Sequence, residues 1–347
     1  MRHGGRRATS RRNVAMRVAD GDPFGEGARA QLHARLSVLG GDFAVRSSNR
    51  ALLELALDAF GGMPRQRLER RPPRLTVQLV LNYQQKTWAR GEAPPPPVFS
   101  SGAELLCATI DAGNFAVVDV AMSRALISVS RAMLDQAYYP RHELVELAFL
   151  TLAARAQALV PLHAACVGVN GKGVLLMGAS GTGKSTLSLH ALADGMQLLS
   201  EDSAFVAADS LRITGVPNYL HVAPNALGFL RRGSLRRTIE RSPVIQRRSG
   251  VRKFEVDLRE LRAKTARAPL RLAAAVFLSR RTANRDRALE ALAPDAVVSR
   301  LRREQPYALQ RSSNWAGFER RVAAVPSYEL RRTEHPDIAV RQLRELL

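Results

Sequence analysis

The residues with the strongest chemical signal form one short run. Gly178-Ala179-Ser180-Gly181-Thr182-Gly183-Lys184-Ser185 fits the pattern G-x-x-x-x-G-K-[ST] in full, and Thr186 follows it. Glycines let such a loop curl until its N–H groups converge on phosphate oxygens. The helix that follows would aim its positive end at the same anion. Lys184 would reach the outer phosphates, and the Ser185 hydroxyl would be a ligand for Mg²⁺. Residues 178 to 186 are therefore read as a nucleotide-binding segment. Only Lys86, Lys172, Lys184, Lys253 and Lys264 are Lys among 52 basic residues, and one of the five stands where this pattern demands Lys.

Four further positions could act on a bound phosphate. Glu201 and Asp202 end a short apolar stretch, 17 and 18 residues beyond Lys184, where a Mg²⁺ ligand or a catalytic base is needed. Surface acids in a turn are the plain alternative. His163 lies 21 residues before Lys184 and matters only if the fold returns it to the phosphates. Lys253 has two open readings: a cation closing over a phosphate, or an ordinary strand-edge Lys.

Flanking elements must hold these groups in place. Leu162–Val169 and Gly173–Met177 are apolar runs joined by Asn170-Gly171, a hairpin signal because both residues tolerate φ > 0. The phosphate loop follows, then a helix over 186–194 that stops at Gly195, then a short strand at 198–199. Strands are expected at 271–278 and 327–330, and a terminal helix at Pro336. An apolar helix over 142–159 precedes the hairpin, and the domain boundary is expected near residue 142. Ahead of it, a helix capped at Ser47, Ser48 or Asn49 and ended by Gly61-Gly62, with strands at 75–82, 104–110, 115–120 and 125–130, predicts a small, mainly antiparallel α/β domain over 36–141. Asp111–Asn114 reads as a hairpin loop, and the Pro94–Pro97 run as an external connection. Residues 1–35 read as a disordered basic leader.

The 347 residues carry 52 Lys+Arg against 31 Asp+Glu, a net charge of +21, which first suggests a polyanion partner. Most of the excess lies in residues 1–20, 63–74 and 231–253, while 144–230 is nearly neutral. No aromatic residues alternate with Arg in 231–253, and no zinc-finger or RRM signature occurs, so nucleic acid is set aside as partner. The 231–253 segment could instead dock an acidic protein or peptide. No apolar run approaches the roughly 20 residues of a membrane helix, so no membrane partner is expected. Cys107 and Cys166 form no disulfide framework and suit a reducing cytoplasm. A homo-oligomer stays open.

Leu162-His163, the hairpin, GVLLMGASGTGKSTLSL and LLSED together resemble the catalytic domain of bacterial HPr kinase/phosphorylase, and more closely the HPr-kinase-related kinases. The close match covers about residues 160–206. The resemblance implies an α/β fold: a C-terminal P-loop kinase domain of HPr kinase (phosphoenolpyruvate carboxykinase-like) type over 142–347, with a smaller N-terminal α/β domain. It implies that Asp202 takes the proton from an acceptor Ser hydroxyl, that Glu201 stands where the family has a second Asp beside the metal, and that His163 stands at the family's active-site His. Thr186 replaces the Glu that commonly follows the loop Ser, and the downstream Arg/Gly signature is not recognisable in Ile213–Asn218, which argues against phosphorylase activity. The expectation is an ATP- and Mg²⁺-dependent kinase whose acceptor is a Ser of a protein or peptide. The alternatives are a small-molecule kinase and an ATP-binding regulatory protein without efficient transfer.

Overall fold

The computed structural model describes residues 32–70, 73–83, 88, 92–102, 104–283, 288–311 and 313–347. The basic leader lies outside them up to residue 31, but its last residues do not: strand β1 (Leu32–Val38) begins before residue 36. β1 pairs antiparallel with β2 (Gly41–Ser47). Helix α1 (Arg50–Phe60) starts at Asn49, whose side-chain oxygen accepts from the Leu52 N–H at 3.2 Å. β3 (Arg74–Asn82), β4 (Val98–Ser101), β5 (Leu105–Asp111), β6 (Asn114–Asp119) and β7 (Arg124–Ser130) complete a seven-stranded sheet in the order β1-β2-β3-β7-β6-β5-β4. The sheet is mainly antiparallel, as its hairpins require, but β3 runs parallel to both β2 and β7. In the expected hairpin loop, the Asp111 carboxylate accepts from the N–H groups of Gly113 and Asn114.

A short helix α2 (Arg131–Leu134) leads to a π-helical turn, Pro140–Glu146, and then to α3 (Leu147–Ala156). The sequence suggested that this apolar helix opens the second half. It packs instead into the first core. Phe149 is fully buried, with its ring 4.7 Å from that of Phe43 and 4.9 Å from that of Phe60. Leu144, Val145, Ala148 and Leu152 join the same apolar cluster, which also takes in Leu159 and Phe205.

From Leu159 a second, eight-stranded sheet forms. β8 (Leu159–Val169) and β9 (Lys172–Met177) make the expected hairpin, with Asn170 at φ +51° and Gly171 at φ +80°. Helix α4 spans Lys184–Ala193, two residues earlier than the pattern suggested. β10 (Gln197–Ser200) and β11 (Ser203–Ala207) pair along the same edge of β8, either side of Glu201-Asp202. β12 (Arg212–Gly215) follows, then β13 (Tyr219–Val222), helix α5 (Ser234–Arg241), β14 (Val244–Gln246) and β15 (Arg252–Asp257). Strands β13-β15-β14 form a separate three-stranded sheet.

β16 (Leu270–Thr282) is the long parallel partner of β9. β17 (Leu289–Ala291), α6 (Pro294–Glu304), α7 (Pro306–Arg311), α8 (Trp315–Ala323), β18 (Ser327–Arg332) and α9 (Pro336–Glu345) complete the chain. β8, β9, β16, β12 and β11 pair in a closed circuit. Val174 and Leu176 of β9 face the cluster beneath α4 and α9, while Leu175 and Met177 face the cluster beneath α6 and α8. A strand covered on both faces must be apolar throughout, which explains the unbroken run before the phosphate loop. Among the described residues no helix is long and apolar enough to cross a membrane.

Candidate functional site

The strand–loop–helix unit is built from β9, the loop 178–183 and α4. Gly178 sits at φ +150°, and a Cβ there would lie 2.8 Å from Thr182 Oγ1 and 3.1 Å from Leu278 Cβ. Gly183 caps α4 at φ +108°. Ala179, Ser180 and Gly181 form the exposed tip of the loop. The Thr182 hydroxyl donates to the Ala179 carbonyl at 2.8 Å, and Arg280 reaches the Ser180 carbonyl at 3.3 Å. Lys184 is buried, its Nζ donating to the Gly178 carbonyl at 2.5 Å. Burial lowers its pKa, against the pull of Asp202, Glu201 and Glu304. Ser185 and Thr186 lie half-buried in the first turn of α4.

Sheet register brings the distant residues to this loop. His163 on β8 stands opposite Ser203 on β11, so Asp202 falls beside the imidazole. His163 Nδ1 lies 3.3 Å from Asp202 Oδ1. Burial lowers the His163 pKa, opposed by Asp202 and helped by Lys184, so the ring is neutral at neutral pH. Gln305 holds the same stretch of strand: its Oε1 accepts from the His163 N–H at 2.8 Å and its Nε2 donates to the His163 carbonyl at 3.1 Å. The other oxygen of Asp202 is 3.5 Å from Arg247.

Glu201 points the other way, to Ser185. The Ser185 hydroxyl donates to Glu201 Oε1, and His221 Nδ1 lies 2.9 Å from Glu201 Oε2. His221 Nε2 is 3.2 Å from Glu255, which in turn meets Arg141 of the π-helical turn. Glu201, His221, Glu255 and Arg141 are all buried. Burial alone would raise the Glu201 pKa; the hydrogen bond and charge of His221, with Ser185 and Lys253, overcome it and hold the carboxyl far below its usual 4.5. Burial would likewise lower His221, yet its hydrogen bonds to Glu201 and Glu255 carry it up to about 9. The result is an imidazolium sandwiched between two carboxylates.

Lys253 is brought to the same place. It lies on the central strand of the small sheet, opposite Ile245, with its charge felt by Glu201 and Asp202. Burial lowers its pKa. The plain reading as a strand-edge Lys therefore gives way. The Arg-rich segment also turns partly inward: Arg247 meets Asp202, and Arg248 bonds Glu143 and stacks on Tyr139 at 4.8 Å.

His221, Glu255, Arg141 and Arg247 carry no local pattern. His221 sits in an apolar strand and reads as a core histidine until the pairing of β13 with β15 sets it opposite Glu255. The arrangement offers donors for phosphate oxygens from the loop and Lys184, hard oxygen donors for a cation from Ser185 and Glu201, and a carboxylate at Asp202 able to take a proton.

No family model and no curated protein matches the chain in sequence. Among solved structures, the Hpr(Ser) kinase/phosphatase from Coxiella burnetii aligns over 53% of this chain and 92% of its own, at 12% identity and a TM-score of 0.28. That is a distant structural neighbour, and a likeness of this size fixes neither the fold type nor the activity of this chain.

Proposed function

We propose that the chain is an ATP- and Mg²⁺-dependent kinase that moves the γ-phosphate to a hydroxyl group. The observation that carries this reading is the convergence of two separate acids on one phosphate loop: Glu201 on the Ser185 hydroxyl and Asp202 beside His163. Loop N–H groups and Lys184 would hold the triphosphate, with Lys253 and Arg247 adding positive charge from the small sheet. Asp202 would accept the proton of the acceptor hydroxyl as its oxygen bonds to the γ-phosphorus and ADP departs. Neutral His163 would orient that carboxylate. The second half, from about residue 157, would carry this chemistry, and the first half would supply Arg141 and helix α3 to its wall.

The donor set suits Mg²⁺, a hard cation that takes carboxylate and hydroxyl oxygens with several waters. Glu201 is kept ionised by His221, so its charge is available at any physiological pH. When bound, the cation would neutralise charge developing on the phosphates. The test is transfer of label from γ-labelled ATP to a hydroxyl acceptor by the purified chain. Transfer that vanishes with EDTA and returns with Mg²⁺ supports the reading. Nucleotide bound with label released only as inorganic phosphate would replace it with a hydrolytic role.

A further inference from the structure

A cavity of about 640 Å³ opens beside the proposed base. Its walls come from both halves of the chain: Leu147, Leu150 and Ala154 of α3 face Leu162 and Phe205 of the second sheet. This size accommodates a whole small molecule, and the wall is predominantly apolar. His163 and Ser203 also line it: the first lies 3.3 Å from Asp202 and the second follows Asp202 in the chain. A smaller space on the far side of Asp202, lined by Glu201, His221 and Arg247, shares Leu150 and Ser203 with it. Asp202 itself lines the smaller space, and His163 and Ser203 stand between it and the large cavity.

Glu304 adds a second observation. It lines the cavity at the last residue of α6, where a carboxylate opposes the helix dipole. Its Oε1 has a long 3.4 Å contact with Arg303, and its Oε2 is buried with no hydrogen-bond partner. An acid left so poorly satisfied within the protein is a costly feature unless a donor is supplied from elsewhere. Burial raises its pKa, while Arg303, Arg300 and Lys184 draw it down, so it lies within the electrostatic reach of the phosphate loop. Gln305, next in the chain, grips the backbone of His163 and fixes Glu304 relative to the base.

We propose that the phosphate acceptor is a small molecule with an apolar body that fills this cavity and passes its hydroxyl between His163 and Ser203 to Asp202. The inference rests on the kinase reading and narrows it: a Ser on a folded protein presents a single hydroxymethyl group and leaves such a cavity unused. In the transfer, the acceptor O–P bond forms, the bond from the γ-phosphorus to the bridging oxygen breaks, its electron pair leaves with ADP, and the hydroxyl proton passes to Asp202.

The test compares ethanolamine, N-butanoylethanolamine and N-octanoylethanolamine with an acidic Ser-containing heptapeptide as acceptors of label from γ-labelled ATP, using the full chain with Mg²⁺. Each added methylene buried strengthens binding several-fold, so kcat/KM should climb by at least tenfold from N-butanoylethanolamine to N-octanoylethanolamine, with the cation ethanolamine as the poorest acceptor. Filling the cavity by Ala154→Phe, or by Thr151→Phe should the first variant not fold, should abolish that climb while ADP affinity stays unchanged. A flat series, or a peptide labelled better than N-octanoylethanolamine and untouched by the filled cavity, overturns the proposal. Bound ATP with no transfer to any acceptor overturns the kinase reading, and this inference with it.

Discussion

His221 is the residue on which the Ser185–Glu201 arrangement depends. Its imidazolium neutralises Glu201 on one side and Glu255 on the other, inside a buried layer where an unpaired carboxylate is costly. His221→Asn should therefore destabilise the protein by about 3–5 kcal/mol near pH 6. The pH dependence has a definite sign. A folded pKa near 9 against an ordinary 6.5 gives stability that is complete below pH 6.5 and lost as pH rises through 9. Depressed Glu201 gives stability present above pH 4.5 and lost as pH falls further. Melting temperatures of the parent and His221→Asn should converge between pH 6.5 and 9.5; a constant gap across that range would show that His221 is not charged in the folded state. Nothing in the sequence around His221 signals this role, because both partners reach it through strand pairing at separations of 20 and 34 residues.

Among the elements, the strand–loop–helix unit around Gly178–Lys184 is legible because every requirement is local. Glycine supplies the angles, β9 is apolar on both faces, and α4 begins at the Lys. Gly178→Ala places a methyl 2.8 Å from Thr182 Oγ1 and should lower ADP affinity at least tenfold, measured by calorimetry. Gly171→Ala is the matched control. It sits at φ +80° in open space, so it should cost about 1 kcal/mol in stability with ADP affinity intact. Equal losses of affinity in both would mean that the loop is not the nucleotide site. Less legible were β11 to β13, each four or five residues long and interrupted by Asp209 and Pro217, which are too short for periodicity to separate from loop. Helix α5 was hidden by its own charge: SLRRTIER registers as a basic run, yet Ile239 is fully buried. The apolar helix before the hairpin is legible as a helix, but local pattern cannot tell which sheet its apolar face will meet; Phe149 packs on Phe43 and Phe60.

Across the molecule, the described arginines around the site and α5 fall into two groups. Arg141 and Arg247 are turned inward against Glu255 and Asp202, while Arg248 pairs with Glu143 at the surface. Arg231, Arg232, Arg237 and Arg241 are exposed around α5. If the acceptor is the small molecule inferred above, replacing these four by Glu should leave acceptor KM within about twofold, since exposed charges beyond a Debye length of ~8 Å are screened. A several-fold rise in KM would instead restore an acidic protein as the docking partner. The two halves of the chain meet where α3 lines the acceptor cavity and Arg141 closes the buried charge chain, so the first half shapes the site although it holds no recognisable motif of its own.

Under the proposed function, Asp202 takes the acceptor proton while the loop binds nucleotide independently of it. Asp202→Asn keeps the shape of the side chain and removes its basicity. Measured side by side with the parent chain, the variant should bind ADP with unchanged affinity and transfer label from γ-labelled ATP at least a hundredfold more slowly. Undiminished transfer by Asp202→Asn, with nucleotide bound, would contradict the account.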